Sequence, residues 1–316
     1  MDLARYGNFA MYLRLGLIAV LFFATGLQSV CSGQNGECGS FFSALQANAL
    51  SIERFDVCTE SEALKVDNRN FRQTERLILD MPRQRALLLR NRVVKELGTD
   101  KQEASLEAYL TLADTTWRRS IHGDLRRASI PFEKALKVSG FTNVQLIGAM
   151  PFPTVIGSQS SGGDDDFEFL IRNANAYGKL EQNSRTAKVI ATLPPRKPGR
   201  SNRFQYTFDL KTLVPKSAEW GWVDFQDGTE LPFQPAHREQ FRWRDSGGIM
   251  LPTSISRARE VLRSVGGKRV PENEIQETKL HWNSVNKPLP DDWWLPERWA
   301  DLDEIRKQCV FPKGNK

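Results

Sequence analysis

Short runs in which apolar and polar residues alternate, each bounded by residues that favour turns, restrict the fold of this chain more than any other feature. From Arg185 onward, "RTAKVIATLP", "NRFQYTFDL", "SAEWGWVDF", "REQFRWRD", "GIMLPTSISRARE" and "NEIQETKLHWNSV" are separated by "PRKPGRS", "KTLVPK", "QDGTELPFQP", "SGG" and "GGKRVPE". Alternation places successive side chains on opposite faces of a strand, and Gly, Pro, Asp and Asn turn the chain between them. Upstream, "ERFDVCTESEALKV", "NFRQTERLILDM" and "QRALLLRN" repeat the pattern around "DNRN" and "MPRQ", which predicts a meander of antiparallel strands with one face buried. Six runs in the second half and three in the first make a long, mostly antiparallel sheet, and such a sheet must curl or close to hide its apolar face.

Other segments carry helical spacing. "FFSALQANALSI" repeats apolar residues at Phe41, Phe42, Leu45, Ala49 and Ile52, and a helical middle is expected over about residues 97–176. That middle comprises "ASLEAYLTLADTTWRRS", "PFEKALKV" opening on Pro131, and "DDDFEFLIRNANAY", with a Pro- and Gly-broken loop before the last. The expected fold class is therefore α+β: a long curved antiparallel sheet, an incomplete barrel, wrapped around helices. Within "FRWRDSGGIMLPTSI", Phe241 and Trp243 alternate with Arg242 and Arg244, Ser246-Gly247-Gly248 turns the chain, and Pro252 limits ladder pairing on the return.

The N-terminus places two basic residues, Arg5 and Arg14, ahead of the apolar run "LGLIAVLFFATGL", followed by "QSVCSGQNG". The run is short for a bilayer span and has the character of a secretory signal peptide, which predicts a leader over 1–33, a single domain over 34–316, and a periplasmic or cell-envelope location. Acylation at Cys31 and an uncleaved anchor are the rival readings of the same leader. Export would leave Cys38, Cys58 and Cys309, an odd number without Cys-x-x-Cys spacing, so one disulfide is permitted and a zinc site is not supported. Forty-four basic against 38 acidic residues give a formal charge of +6, spread along the chain, and no nucleic-acid partner is expected.

The motifs of catalysis are missing from the sequence: it holds no Gly-x-Ser-x-Gly, His-Glu-x-x-His or Gly-x-x-x-x-Gly-Lys. "SVGGKRV" lacks the earlier glycine of a phosphate loop, and His122, His237 and His281 have no recognisable catalytic partner nearby. "GGDDD" offers Asp164 to Asp166 to a cation, but no calcium-loop spacing follows, and carboxylates in the first turn of a helix are stabilised there without a metal. The expectation is a protein that is not an enzyme and needs no cofactor or metal.

The order of "FDVCTESE", "RLILDMPRQRALLLRN", "VQLIGAMPFP", "FRWRDSGGIMLPTSI" and "LHWNSVNKPLPDDWW" resembles secreted bacterial proteins of the outer-membrane lipoprotein-sorting type, related to the carrier LolA and its receptor LolB. The most specific part is the aromatic strand, the Asp and Gly turn, Leu251-Pro252-Thr253, and then Val285-Asn286 and Pro288-Leu289-Pro290. The resemblance covers most of residues 41 to 300 and implies a LolA/LolB-like half-barrel whose apolar cavity shelters acyl chains; the helical middle is longer than in the small carriers. The partners it implies are a lipid or lipoprotein acyl chain, an envelope protein, and peripheral contact with a membrane.

Independently of the family, a curved sheet covered by helices leaves an apolar interior, and concavities of this kind are common ligand sites. The candidate lining residues are Phe55, Leu77, Leu79, Leu88, Tyr206, Phe208, Trp222, Phe241 and Trp243. Taken singly, each is an ordinary core residue, and a filled interior makes the chain a structural or protein-interaction module instead. The tail "KPLPDDWWLPERWADLDEI" carries Trp293, Trp294 and Trp299 and is expected to fold back over a sheet edge.

Overall fold

Period-two patterning dominates the folded chain. The computed structural model describes residues 52–66, 69–130, 132, 178–195, 199–265 and 268–312, all within a unit that spans Asn35–Lys316; a second unit, Met1–Gln34, lies outside the described residues. The leader, Cys31, Cys38, the helix expected from Phe41, all of "PFEKALKV" except Phe132, and "GGDDD" with the segment after it also lie outside the described residues.

The first six strands are β1 (Arg54–Val66), β2 (Arg69–Asp80), β3 (Arg85–Glu96), β4 (Gln102–Leu112), β5 (Thr115–Ser120) and β6 (Gly123–Ser129). The second series is β7 (Gly178–Gln182), β8 (Thr186–Thr192), β9 (Arg200–Asp209), β10 (Pro215–Gln226), β11 (Thr229–Glu230), β12 (Gln234–Ser246), β13 (Ile249–Val265) and β14 (Lys268–Val285), and α1 (Leu302–Gln308) follows. The sheet runs β6-β5-β4-β3-β2-β1-β14-β13-β12-β10-β9-β8-β7, with the short β11 beside β10. Two meanders are joined where β1 pairs antiparallel with β14, from Phe55 opposite Val285 to Leu64 opposite Ile275. Asn286 secures that junction: its Oδ1 accepts from the backbone N–H groups of Glu53 at 2.8 Å and Arg54 at 3.2 Å.

Residues 102–129 correct the expectation of a helical middle, because they form β4, β5 and β6. Ala, Leu and Glu favour helix, which makes "ASLEAYLTLADTTW" look helical. Yet Leu106, Ala108 and Leu110 alternate with Glu107, Tyr109 and Thr111, and every residue from Gln102 to Leu112 pairs in register with β3. Alternation plus a complete ladder outweighs propensity, as it does in strands generally. The expected long curved antiparallel sheet is present, large and open, and the helices expected with it are few among the described residues.

Burial on both faces corrects a second expectation, that of one buried face. On one face, Phe55, Leu77, Leu79, Ala86 and Leu88 join Val189, Tyr206, Phe208 and Phe241 in a single apolar cluster. In a flat sheet β3 and β8 would stand roughly 40 Å apart at about 4.8 Å per strand, and side chains on an open face could not all be buried, so the sheet curls with this face inward. On the outer face, Ile78, Leu87, Leu89, Leu106 and Leu110 pack under Trp293, Trp294, Trp299 and Ile305. The tryptophan tail therefore covers the outer face of β2 to β4, where the sequence suggested an edge. Two 3-10 turns, Asp291–Trp294 and Pro296–Ala300, carry the indoles, and Asp301 caps α1 by accepting from the Asp303 N–H at 2.9 Å.

Several ladders slip register at bulges. Between Trp220 and Gly221 the β10–β12 register slips, and an added Cβ at Gly221 would collide with the Gln234 carbonyl oxygen and sit 2.8 Å from the Ala236 nitrogen. Both obstacles are backbone, so the strands cannot adjust by moving a side chain. Gly221→Ala is expected to destabilise the protein by about 2 kcal/mol or more, in the range of overpacking and backbone strain. Urea unfolding checks this against Gly228→Ala, whose surroundings are open but whose φ of +77° strains any side chain; a Gly221→Ala loss below about 1 kcal/mol, the scale of such a backbone penalty, would overturn it.

Candidate binding site on the inner face of the sheet

Along β2 the inward-facing residues are Leu79, Leu77, Glu75, Gln73, Phe71 and Arg69, and their partners on β3 are Ala86, Leu88, Arg90, Arg92, Val94 and Glu96. The inner face is thus graded along the strands, with an apolar floor at one end, a charged band next to it, and a mixed end beyond. This order follows from the sequence, because "RLILD" and "ALLL" place leucines at the same register while Glu75 and Arg90 fall one inward step further on.

The floor is aromatic on the side of β9 to β14. Trp282 meets Phe55 edge-on at 5.7 Å between ring centroids, Tyr206 lies 6.2 Å from both Phe204 and Phe208, and Phe241 lies 6.4 Å from Trp243. Indole N–H groups at its border are satisfied by proline carbonyls: Trp243 Nε1 donates to Pro215 O at 2.6 Å and Trp282 Nε1 to Pro252 O at 2.8 Å. Of the nine residues singled out from the sequence, the structure brings Phe55, Leu77, Leu79, Leu88, Tyr206, Phe208 and Phe241 into this cluster as buried members and Trp243 as a partly buried one. Trp222 stands apart from it. Its Nε1 donates to Gln234 Oε1 at 2.8 Å, and the Arg200 guanidinium lies 5.2 Å over its ring. Ile52 and Phe132, which the sequence did not single out, also belong to the cluster.

Two buried charge clusters border the floor, and neither was legible as a site. In the first, Arg90 Nε donates to Glu75 Oε1 at 2.6 Å, Arg90 Nη1 lies 3.4 Å from Glu107 Oε2, and Arg118 Nη2 donates to Glu107 Oε1 at 2.9 Å. Cross-strand pairing of Glu75 with Arg90 and of Arg90 with Glu107 sets them side by side. In the second, Glu239 accepts from Arg257 Nε at 2.8 Å and lies 3.2 Å from His237 Nε2, while His237 stacks on Trp220 at 4.2 Å. The histidine is held in place by a carboxylate and an indole face, a structural setting. Thr59 Oγ1, Arg90 Nη2 and Glu239 Oε2 are buried without a hydrogen-bond partner, so the clusters keep unused hydrogen-bonding capacity beside the apolar floor.

Cys58 and Cys309 are buried free thiols on the outer face. Burial pushes both up from the ordinary thiol range, with the Asn283 amide pulling Cys58 back in part. Both stay protonated near neutral pH, which removes the thiolate needed for nucleophilic chemistry.

Glu75 makes the charged band sensitive to pH. Burial pushes its carboxyl above the usual range, against the opposing pull of Arg90. The native state then binds a proton that the unfolded chain has already lost, so the Glu75 contribution to stability falls as pH rises above the unfolded carboxylate value of about 4.3. Glu75→Gln lacks that slope. The unfolding free energy of Glu75→Gln relative to wild type is expected to move in the variant's favour between pH 4.5 and 7.5, and urea midpoints at the two values check the sign.

No family model and no curated protein matches the chain. Among solved structures, a LolA superfamily protein from Nitrosomonas europaea is similar at 10% identity and a TM-score of 0.38, over 82% of this chain and 97% of its own. A DUF1329 family protein from Desulfovibrio piger matches at 10% identity and a TM-score of 0.38, over 85% and 100% of the two chains. LprF from Mycobacterium bovis matches at 10% identity and a TM-score of 0.29, over 82% and 97%. Likenesses of this strength assign neither a family nor an activity, and the function has to be argued from the inner face itself.

Proposed function

We propose that this is a non-catalytic, exported protein of the cell envelope that binds an apolar cargo, an acyl chain of a lipid or lipoprotein, against the inner face of its curved sheet. The observation that carries the proposal is the continuous apolar floor contributed by both meanders, from Leu77 and Leu88 on one side to Val189 and Tyr206 on the other. Such a surface binds by area and shape and not by directed polar contacts, which suits a hydrocarbon chain. Ala86, Ala187, Ala191 and Ala218 are small residues of the floor, so space there is governed by methyl groups. The N-terminal basic and apolar run, read as an export leader, supports the envelope location.

A second reading has its own observation. Phe55, Leu77, Leu79, Leu88 and Phe208 are fully buried, as they would be in a filled interior, and the protein would then act as a structural or interaction module of the envelope. The two readings differ in whether ligand is retained. Native mass spectrometry of the chain expressed in a bacterial host is expected to show a bound mass that is lost on denaturation. A fluorescent fatty acid should bind, and Ala218→Leu should weaken it about tenfold by taking up about three methylene-sized groups of space. A bare protein that ignores the fatty acid would leave the filled module as the function.

A further inference from the structure

A pocket of about 570 Å³ lies at the mixed end of the inner face, lined among others by Arg69, Phe71, Arg92, Val94, Glu103 and His122. Phe71 is six residues along β2 from Leu77, roughly 20 Å at strand rise, and the Glu75–Arg90–Glu107 band stands between them. The pocket and the floor are therefore separate places. Elsewhere on this face Arg90 pairs with Glu75, Arg118 with Glu107, Arg257 with Glu239 and Arg259 with Glu274. Arg69 and Arg92 have no carboxylate partner among the described residues. The Arg92 guanidinium instead lies over the Phe71 ring at 5.3 Å, a contact that does not use its N–H groups and leaves them for an acceptor.

We propose that this pocket is a second binding site, for a phosphate or carboxylate group carried on an apolar stem. Arg69 and Arg92 supply planar donors that match the two oxygens of such a group, His122 adds a ring N–H from the turn between β5 and β6, and Phe71 and Val94 form an apolar wall for the stem. Glu103 is the carboxylate among the described lining residues, with Glu96 opposite Arg69 across the ladder, and it opposes the bound anion, which gives the pocket a distinctive response to mutation. The same chemistry is offered by a free organic anion and by the headgroup of an anionic lipid.

Isothermal titration of the full chain with phenyl phosphate, inorganic phosphate and phosphatidylglycerol vesicles tests the site. Phenyl phosphate is expected to bind once per chain and more tightly than inorganic phosphate. Arg92→Gln and Arg69→Gln should each weaken it at least tenfold, while Glu103→Gln should tighten it several-fold; all three residues are exposed, and thermal unfolding confirms that the variants fold. Binding of phenyl phosphate without vesicle binding identifies a free anion as the ligand, and vesicle binding that shares the same mutational pattern identifies a lipid headgroup. Failure of both probes, or binding indifferent to all three variants, overturns the proposal. Prior loading with oleate separates it from the cargo site: phenyl phosphate should still bind, and competition between the two would overturn the claim of a second site, whereas failure of oleate alone to bind touches only the cargo proposal.

Discussion

Strands β2 and β3 are apolar on both faces, with Leu77, Leu79 and Leu88 pointing inward and Ile78, Leu87 and Leu89 outward, and a sheet built on such strands needs a cover on each side. Each Leu or Ile left open to water would forgo roughly 1.5–3 kcal/mol. Curling the sheet supplies the inner cover by turning β8 and β9 back toward β2 and β3. The outer cover comes from the chain that follows β14, with its three indoles. The order of strands makes both possible: because β1 and β14 are neighbours at the centre, the C-terminal tail emerges beside the strands it has to cover.

The charged bands place a limit on that apolar interior. Burying Glu75 beside Arg90 and Glu239 beside Arg257 contributes little net stability, because desolvation offsets most of the attraction. Position is what these pairs supply. A one-residue slip of β3 against β2 would put Arg90 on the outer face and leave Glu75 buried alone, so the pairs penalise wrong register more than they reward the right one. They also divide the inner face into zones of different chemistry. A hydrocarbon chain is favoured over the floor and opposed at the band, where it would cover Thr59 Oγ1 and Arg90 Nη2 without satisfying them.

Much of the architecture was legible in alternation. The runs "NRFQYTFDL" and "REQFRWRD" become β9 and β12, and the Ser246-Gly247-Gly248 turn leads into β13 as the period-two reading requires. Strands β4 to β6 were misread because Ala, Leu and Glu carry a helical propensity that hides Leu106, Ala108 and Leu110 at every second position. Strand ends were also misplaced. "GGKRVPE" looked like a turn, yet β13 continues to Val265 and β14 starts at Lys268, since a ladder between two long partners tolerates turn-favouring residues near its end. At the site, the aromatic members of the floor could be named from their faces, but Trp222 could not be told from Trp243. The register slip at Trp220 and Gly221 comes just before Trp222, and a bulge of that kind leaves no mark in the pattern of apolar residues. The charge clusters were invisible for a related reason: Glu75, Arg90 and Glu107 are distant in sequence, and only pairing brings them together.

One guanidinium links the outer cover to three strands at once, in addition to Arg119, which donates to Ala300 O at 3.0 Å, and Arg85, which lies 5.7 Å over the Trp294 ring. Arg76 on β2 donates through Nη2 to Asp56 on β1 at 2.7 Å and through Nη1 to Gln308 of α1 at 2.6 Å, and its guanidinium lies 4.3 Å over Trp293. Asp56 also accepts from Asn283 on β14 at 3.1 Å, so one partly buried node joins three adjacent strands to both parts of the tail. A detachable arm that docks on a partner would be held by a few exposed contacts and would leave a polar surface when it left. Release of this tail would instead uncover Ile78, Leu87 and Leu89 and strand Arg76 and Asp56 without their partners above the sheet. The tryptophans therefore belong to the fold, and the outer face of β2 to β4 is not a surface free to meet a ligand or a membrane.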